Sequence, residues 1–148
     1  MNIKKFNLMD FIWHKLFKNA TMINDSINKL KILKESGLFS DVKILTVISG
    51  NYDEEGVKRE LFSSFLPNIN VITVQYGLVK ASVVPNPQLN ILVDDEPRYC
   101  NAWNSYGEDD TAVLFIPNHS NLEKNIVNDL LDIPNTQAYK KLIKTRNS

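Results

Sequence analysis

Two adjacent aspartates, Asp94 and Asp95, close the apolar run of NILVDDEPRYCNAW, residues 90–103. Neighbouring carboxylates repel each other and resist desolvation, so a buried strand that ends in them needs a compensating partner. Paired hard-oxygen donors beside a helix N-terminus suit Mg²⁺. One carboxylate would ligate directly or through water, and the other would support it or cap the following helix. Lys80, which follows the second apolar strand, can supply a cation that neutralises charge developing on a phosphate. Thr46 and Ser49, near the end of DVKILTVISG, can meet phosphate oxygens. Each residue also has a plainer reading. Asp95 is then a helix cap, Asp94 the partner of a lysine, Lys80 a solvated loop cation, and Thr46 a locally satisfied strand residue. The set in this order along the chain carries more weight than any one member.

The elements that would position these residues follow from hydrophobic spacing. Leu8, Phe11, Ile12 and Leu16 predict a short amphipathic helix over 8–18. Ile23, Ile27, Leu30 and Leu33 predict a second over 22–36, stopped by Gly37. DVKILTVISG is a β-branched, nearly continuous apolar run, the pattern of a strand buried on both faces. DEEGVKRELFSSFL returns to helical spacing and is ended by Pro67. INVITVQY and LNILVDD are further strands. EPRYCNAWNSYG is a helix with Pro97 in its first turn and Tyr99, Trp103 and Tyr106 on one face. TAVLFIP is a fourth strand, and NLEKNIVNDLLDI and TQAYKKLIK close the chain as helices.

Strands alternating with helices predict crossover connections and a parallel sheet. The expected fold is a Rossmann-like three-layer α/β domain over 1–148, with N-terminal helices in 1–36, an αβ core in 41–133 and a helical tail in 136–148. In such a sheet the ligand crevice forms at the carboxyl ends of the strands. Thr46, Ser49, Asp94 and Asp95 are all expected there.

Composition narrows the function classes. Lysine plus arginine and aspartate plus glutamate number 17 each, which removes the electrostatic case for wrapping nucleic acid. No apolar run approaches the length of a membrane span, and the basic, then apolar N-terminus is interrupted by His14, Lys15 and Lys18, so a cytoplasmic protein is expected. The one cysteine, Cys100, excludes a disulfide framework and reads as a packed core residue. His14 and His119 are isolated, and Glu108-Asp109-Asp110 reads as a solvated turn. Trp13 and Phe17 are core residues or an exposed patch for a partner.

From KILTVIS, through a helix with Lys58, to Lys80 and NILVDDEPRYCNAWNSYGEDDTAVLF, the chain resembles a haloacid dehalogenase-like (HAD) phosphatase. It is most similar to the 5′(3′)-deoxyribonucleotidase-type branch, over roughly residues 22–131. The resemblance matches the family's strand-ending Thr or Ser with Thr46, its lysine with Lys80, and its paired aspartates with Asp94 and Asp95. Trp103 and Gly107 match the helix and turn that follow. It implies a Mg²⁺-dependent phosphate site. The sequence departs from the family at the first motif, an Asp-x-Asp whose first member is the nucleophile and whose second is the acid/base. Asp10 stands at a plausible distance before Thr46, but position 12 is Ile, and Asp25 is followed by Ile27. Covalent phosphoryl transfer needs that nucleophile.

The departure also bears on the fold, because the family's first strand lies between those ending at Thr46 and Asp94. NIKKFNL is then a degenerate remnant, or the strand is absent and a partner chain or second copy completes the sheet. The leading expectation is a catalytically degenerate domain that binds phosphate, a nucleotide or Mg²⁺, or serves as a protein-interaction subunit. The alternative is an active Mg²⁺-dependent phosphatase or 5′-nucleotidase using Asp10. A receiver-like domain, suggested by ILVDDEP, places its acidic strand earlier in the chain.

Overall fold

A computed structural model describes residues 26–48, 54–107, 110–116 and 124–147. The chain divides into two compact units, Met1–Gly77 and Leu78–Ser148. Asp10, Ser49 and His119 lie outside the described residues, as do the helix expected over 8–18, with Trp13, His14 and Phe17, and the start of the next.

In the first unit, helix α1 (Ser26–Glu35) leads to strand β1 (Lys43–Ile48), helix α2 (Glu54–Phe65) and strand β2 (Asn70–Gln75). Gly37 takes φ 78°, the left-handed conformation that ends a helix at low cost for a residue without Cβ. Glu54 and Glu55 occupy the first turn of α2, where they suit the helix dipole. β1 and β2 pair in parallel, with Thr46 opposite Thr73. Leu66, Ile69 and Val71 form a buried cluster, and Ile27 and Leu30 of α1 pack on it with Ile44 and Phe62.

Neighbouring residues of α2 reach both edges of this two-stranded sheet. The Ile48 carbonyl accepts from Tyr76 N–H and so faces β2. Strand carbonyls alternate in direction, so that of Val47 faces the other edge, where Lys58 Nζ donates to it. Arg59 Nη1 donates to the Val71 carbonyl of β2 at 2.5 Å. Glu54 holds Lys58 at 3.1 Å and Glu55 holds Arg59 at 2.9 Å, each across one helical turn.

The second unit contains strand β3 (Leu92–Asp94), helix α3 (Pro97–Gly107), strand β4 (Ala112–Phe115), strand β5 (Ile126–Val127) and helix α4 (Gln137–Arg146). Its sheet has the order β3-β4-β5 and is parallel throughout. Short 3₁₀ helices span Lys80–Val83, Pro87–Leu89 and Leu130–Asn135. Trp103 on α3 is 3% exposed, and its indole N–H donates at 2.7 Å to the hydroxyl of Thr111, itself buried beside β4. Asn104 accepts from Ala112 N–H, which fixes the same helix to the same strand.

The described residues are thus mixed α/β with short parallel sheets, as the alternating pattern predicts. Two expectations are corrected. NLEKNIVNDLLDI is not a helix over its described part. β-branched Ile126 and Val127 add to β4, Asp129 accepts from Leu131 N–H to start a new turn, and Pro134, with no N–H to donate, stands within that 3₁₀ segment. Nor is β1 buried on both faces. Ile44, Leu45, Thr46 and Val47 are half-buried and only Ile48 is buried, because β1 belongs to a sheet of two strands among the described residues.

Replacing Trp103 with Phe keeps an aromatic ring but strands the Thr111 hydroxyl in a dry site. We expect a loss of about 1–3 kcal/mol of stability in urea unfolding, partly restored by the pair Trp103→Phe/Thr111→Val.

Candidate functional site

The site is built where β3 ends. The apolar pair Leu92–Val93 carries the strand into the second unit's sheet, and Asp94 is its last residue. Glu96 and Pro97 then start α3. The Glu96 carboxylate accepts from Arg98 N–H, and Pro97 needs no acceptor at the first helical position. The helix cap is therefore Glu96 and not Asp95, the cap proposed by the plainer sequence reading. Asp94 Oδ1 accepts from Glu96 N–H at 3.0 Å, which sets the turn between strand and helix.

Lys80 starts the 3₁₀ helix Lys80–Val83 and is buried, so it is no solvated loop lysine. Its Nζ lies 2.5 Å from Asp94 Oδ2, and the two side chains are 9% and 8% exposed. The ammonium also sits over the ring of Tyr99, 4.5 Å from the centroid. Removing a charge from water costs several kcal/mol even after relaxation. Here one carboxylate and one aromatic face offset that cost.

Asp95 is exposed and has the opposite problem. Partial desolvation, then its hydrogen bond and charge contact with Asp94, push its carboxyl above the usual 3.8. Lys80 pulls the other way, but its charge is already committed to Asp94. The Cys100 thiol is pushed up to about 11, first by burial and then by the Asp94 charge. Cys100 is buried, with Sγ 3.9 Å from the Asp94 carbonyl and 3.8 Å from that of Val113. It is a packed residue and holds no thiolate nucleophile at neutral pH.

Of the residues singled out in the sequence, the structure brings Lys80, Asp94 and Asp95 together within one unit. Thr46 lies in the first unit, within β1 and not at its end, since Val47 and Ile48 continue the pairing with Val74 and Gln75. Tyr99 was legible only as one of three aromatics on a helix face. Its place in the first turn of α3, just beyond the paired acids, is the signal that could have marked it as a partner of Lys80. Glu54, buried on Lys58, had the i,i+4 spacing as its signal.

Among the described residues, no three or more His, Cys, Asp or Glu side chains gather where they could hold a metal ion. The donor set at the end of β3 is two carboxylates. Mg²⁺ commonly takes only one or two carboxylates and completes its shell with water and phosphate oxygens. Asp95, with its proton affinity raised by partial desolvation and then by Asp94, is the carboxylate that would gain most from a cation. Asp94 would serve through the remaining lone pair of Oδ1, since Oδ2 is held by Lys80 and Oδ1 already accepts from Glu96 N–H. Two carboxylates can share a Mg²⁺ with water, and such an ion would bring positive charge for a bound phosphate.

No family model matches the chain, and no curated protein or solved structure matches it either.

Breaking the buried pair from one side should be costly. Asp94→Asn leaves the Lys80 ammonium uncompensated and should cost about 3–5 kcal/mol in chemical denaturation, whereas the double change Lys80→Met/Asp94→Leu should cost only about 1 kcal/mol, for the lost Glu96 N–H bond. Asp95 gives a pH signature. Its folded pKa is raised, so its contribution is fully present below its ordinary 3.8 and is lost as pH rises through the folded value. Asp95→Asn should therefore raise Tm at pH 7, and the gain should vanish in scans below about pH 3.8.

Proposed function

We propose that the chain is a catalytically degenerate, nucleotidase-like domain of the HAD type, which binds a phosphate-bearing ligand, a nucleotide being the favoured class, together with Mg²⁺. The observation that carries this reading is the buried Lys80–Asp94 pair at the carboxyl end of β3, with Asp95 beside it at an electrostatic cost. Parallel sheets gather ligand groups at that end of their strands. A carboxylate held there against repulsion is a feature that function explains better than stability does. Lys80 would meet a phosphate oxygen, and Asp95 with Asp94 would hold the cation. The resemblance matches Thr46 to the family's strand-ending Thr or Ser and offers Asp10 only as the nearest stand-in for the nucleophile. With Ile at position 12, no acid/base follows Asp10, so binding and not turnover is the proposed activity.

A second reading, a protein-interaction subunit, is favoured by β1. Its sequence suits a strand covered on both faces, yet Ile44 to Val47 are half-buried. A partner chain or second copy would supply the cover. Lys58, donating to the Val47 carbonyl, already occupies part of the edge such a strand would use.

The test is calorimetric titration of deoxynucleoside monophosphates with Mg²⁺, beside a hydrolysis assay on the same compounds and an aryl phosphate. Binding without turnover is expected in the wild-type protein, with binding lost in Lys80→Met/Asp94→Leu. Hydrolysis abolished by both Asp94→Asn and Asp10→Asn would make the chain an enzyme and overturn the reading. Absence of binding, with self-association seen by sedimentation, would leave the interaction subunit.

A further inference from the structure

We propose that Tyr99 is the positioning residue for Lys80, fixing the ammonium so that an N–H with no acceptor among the described residues is presented to a phosphate oxygen. The inference rests on the phosphate-binding reading of this site. A lysine ammonium has three N–H donors and no acceptor. One N–H meets Asp94 Oδ2 at 2.5 Å. The ring face of Tyr99, 4.5 Å away, takes the positive charge from a second direction. Among the described residues Lys80 makes no other hydrogen bond, so the third donor has no protein acceptor there. Lysine reaches its head group through a flexible four-carbon stem, and a single carboxylate contact leaves the ammonium free to swivel about that bond. A second contact from a fixed aromatic plane removes this freedom.

The elements around Tyr99 are arranged to hold that plane. Tyr99 N–H donates to the Glu96 carbonyl in the first turn of α3, and Pro97 restricts the backbone just before it. The same turn is set by Asp94 Oδ1 on Glu96 N–H. Asp94 thus fixes Lys80 with one oxygen and, through the turn, places the ring that fixes it again. Tyr99 is half-buried and Asp95 exposed, so this end of β3 meets solvent beside the pair. The phenol makes no hydrogen bond to a described side chain that this role requires; the ring face is what matters, and Phe should replace Tyr.

The test is proton–carbon NMR of protein labelled at the lysine ε carbon, with the Lys80 signal identified by its loss in Lys80→Arg. The ring should shift the Lys80 Hε protons upfield in wild type and in Tyr99→Phe, and the shift should be lost in Tyr99→Leu. Titration with inorganic phosphate, followed on the same signal, should give equal affinities for wild type and Tyr99→Phe and an affinity about tenfold weaker for Tyr99→Leu. Tyr99→Met serves the same purpose if the leucine variant does not fold. A variant without the ring that retains either the upfield shift or the wild-type affinity overturns the proposal while leaving the site reading intact. A wild-type protein that shows the shift but gives no response to phosphate overturns the reading of the site, and this role of Tyr99 with it.

Discussion

A lysine and an aspartate facing each other with almost no water between them impose a strict condition on everything nearby. Neither Lys80 nor Asp94 can be moved without leaving a bare charge, and a bare buried charge is among the costliest defects a fold can carry. The turn from β3 into α3, the 3₁₀ start at Lys80 and the ring of Tyr99 are all tied to that pair. The pair is a poor source of net stability compared with packed hydrocarbon, but it allows few alternative arrangements. Its effect is to specify one geometry for two segments that are separate in sequence, the turn at Lys80 and the β3–α3 corner.

That arrangement leaves Asp95 as the residue that bears the mismatch. One lysine cannot satisfy two carboxylates, and the buried one has first claim. Asp95 then stands beside a neutralised but still polar pair, with its proton held more tightly than in a free chain. A cation or a proton relieves this state, and so the second aspartate, not the first, is the responsive part of the site. The distinction between a fixed acid and a responsive one arises from their surroundings, burial and the Lys80 contact, since the two side chains are chemically identical.

Much of the fold was legible because its signals are local. Pro67 and Gly37 end helices, Pro97 begins one, and the β-branched runs around Thr46, Val71 and Val113 become strands. Over 124–133 the helical expectation fails because apolar residues there happen to fall at helical spacing. The decision there is made by pairing with β4, a tertiary contact that spacing does not encode. At the site, the acids and the lysine were legible as a set, and the depth of Lys80 was not. Sequence places a lysine after a strand; only the fold turns it inward onto Asp94. The match to the family's strand-ending Thr or Ser puts Thr46 at a strand end, yet threonine is itself a good strand former and the strand runs on through it.

Lys58 and Arg59, adjacent on α2, grip carbonyls on opposite margins of the β1–β2 ribbon. Both grips close within a single crossover, so they connect residues near one another along the chain. Contacts of short sequence separation need little loop closure and form early. The helix therefore acts as a staple that occupies an outward-facing carbonyl on each margin of the ribbon. A ribbon sealed in this way offers less purchase to strands of other molecules, which protects a newly made chain during the interval when its apolar β1 would otherwise be most exposed to aggregation.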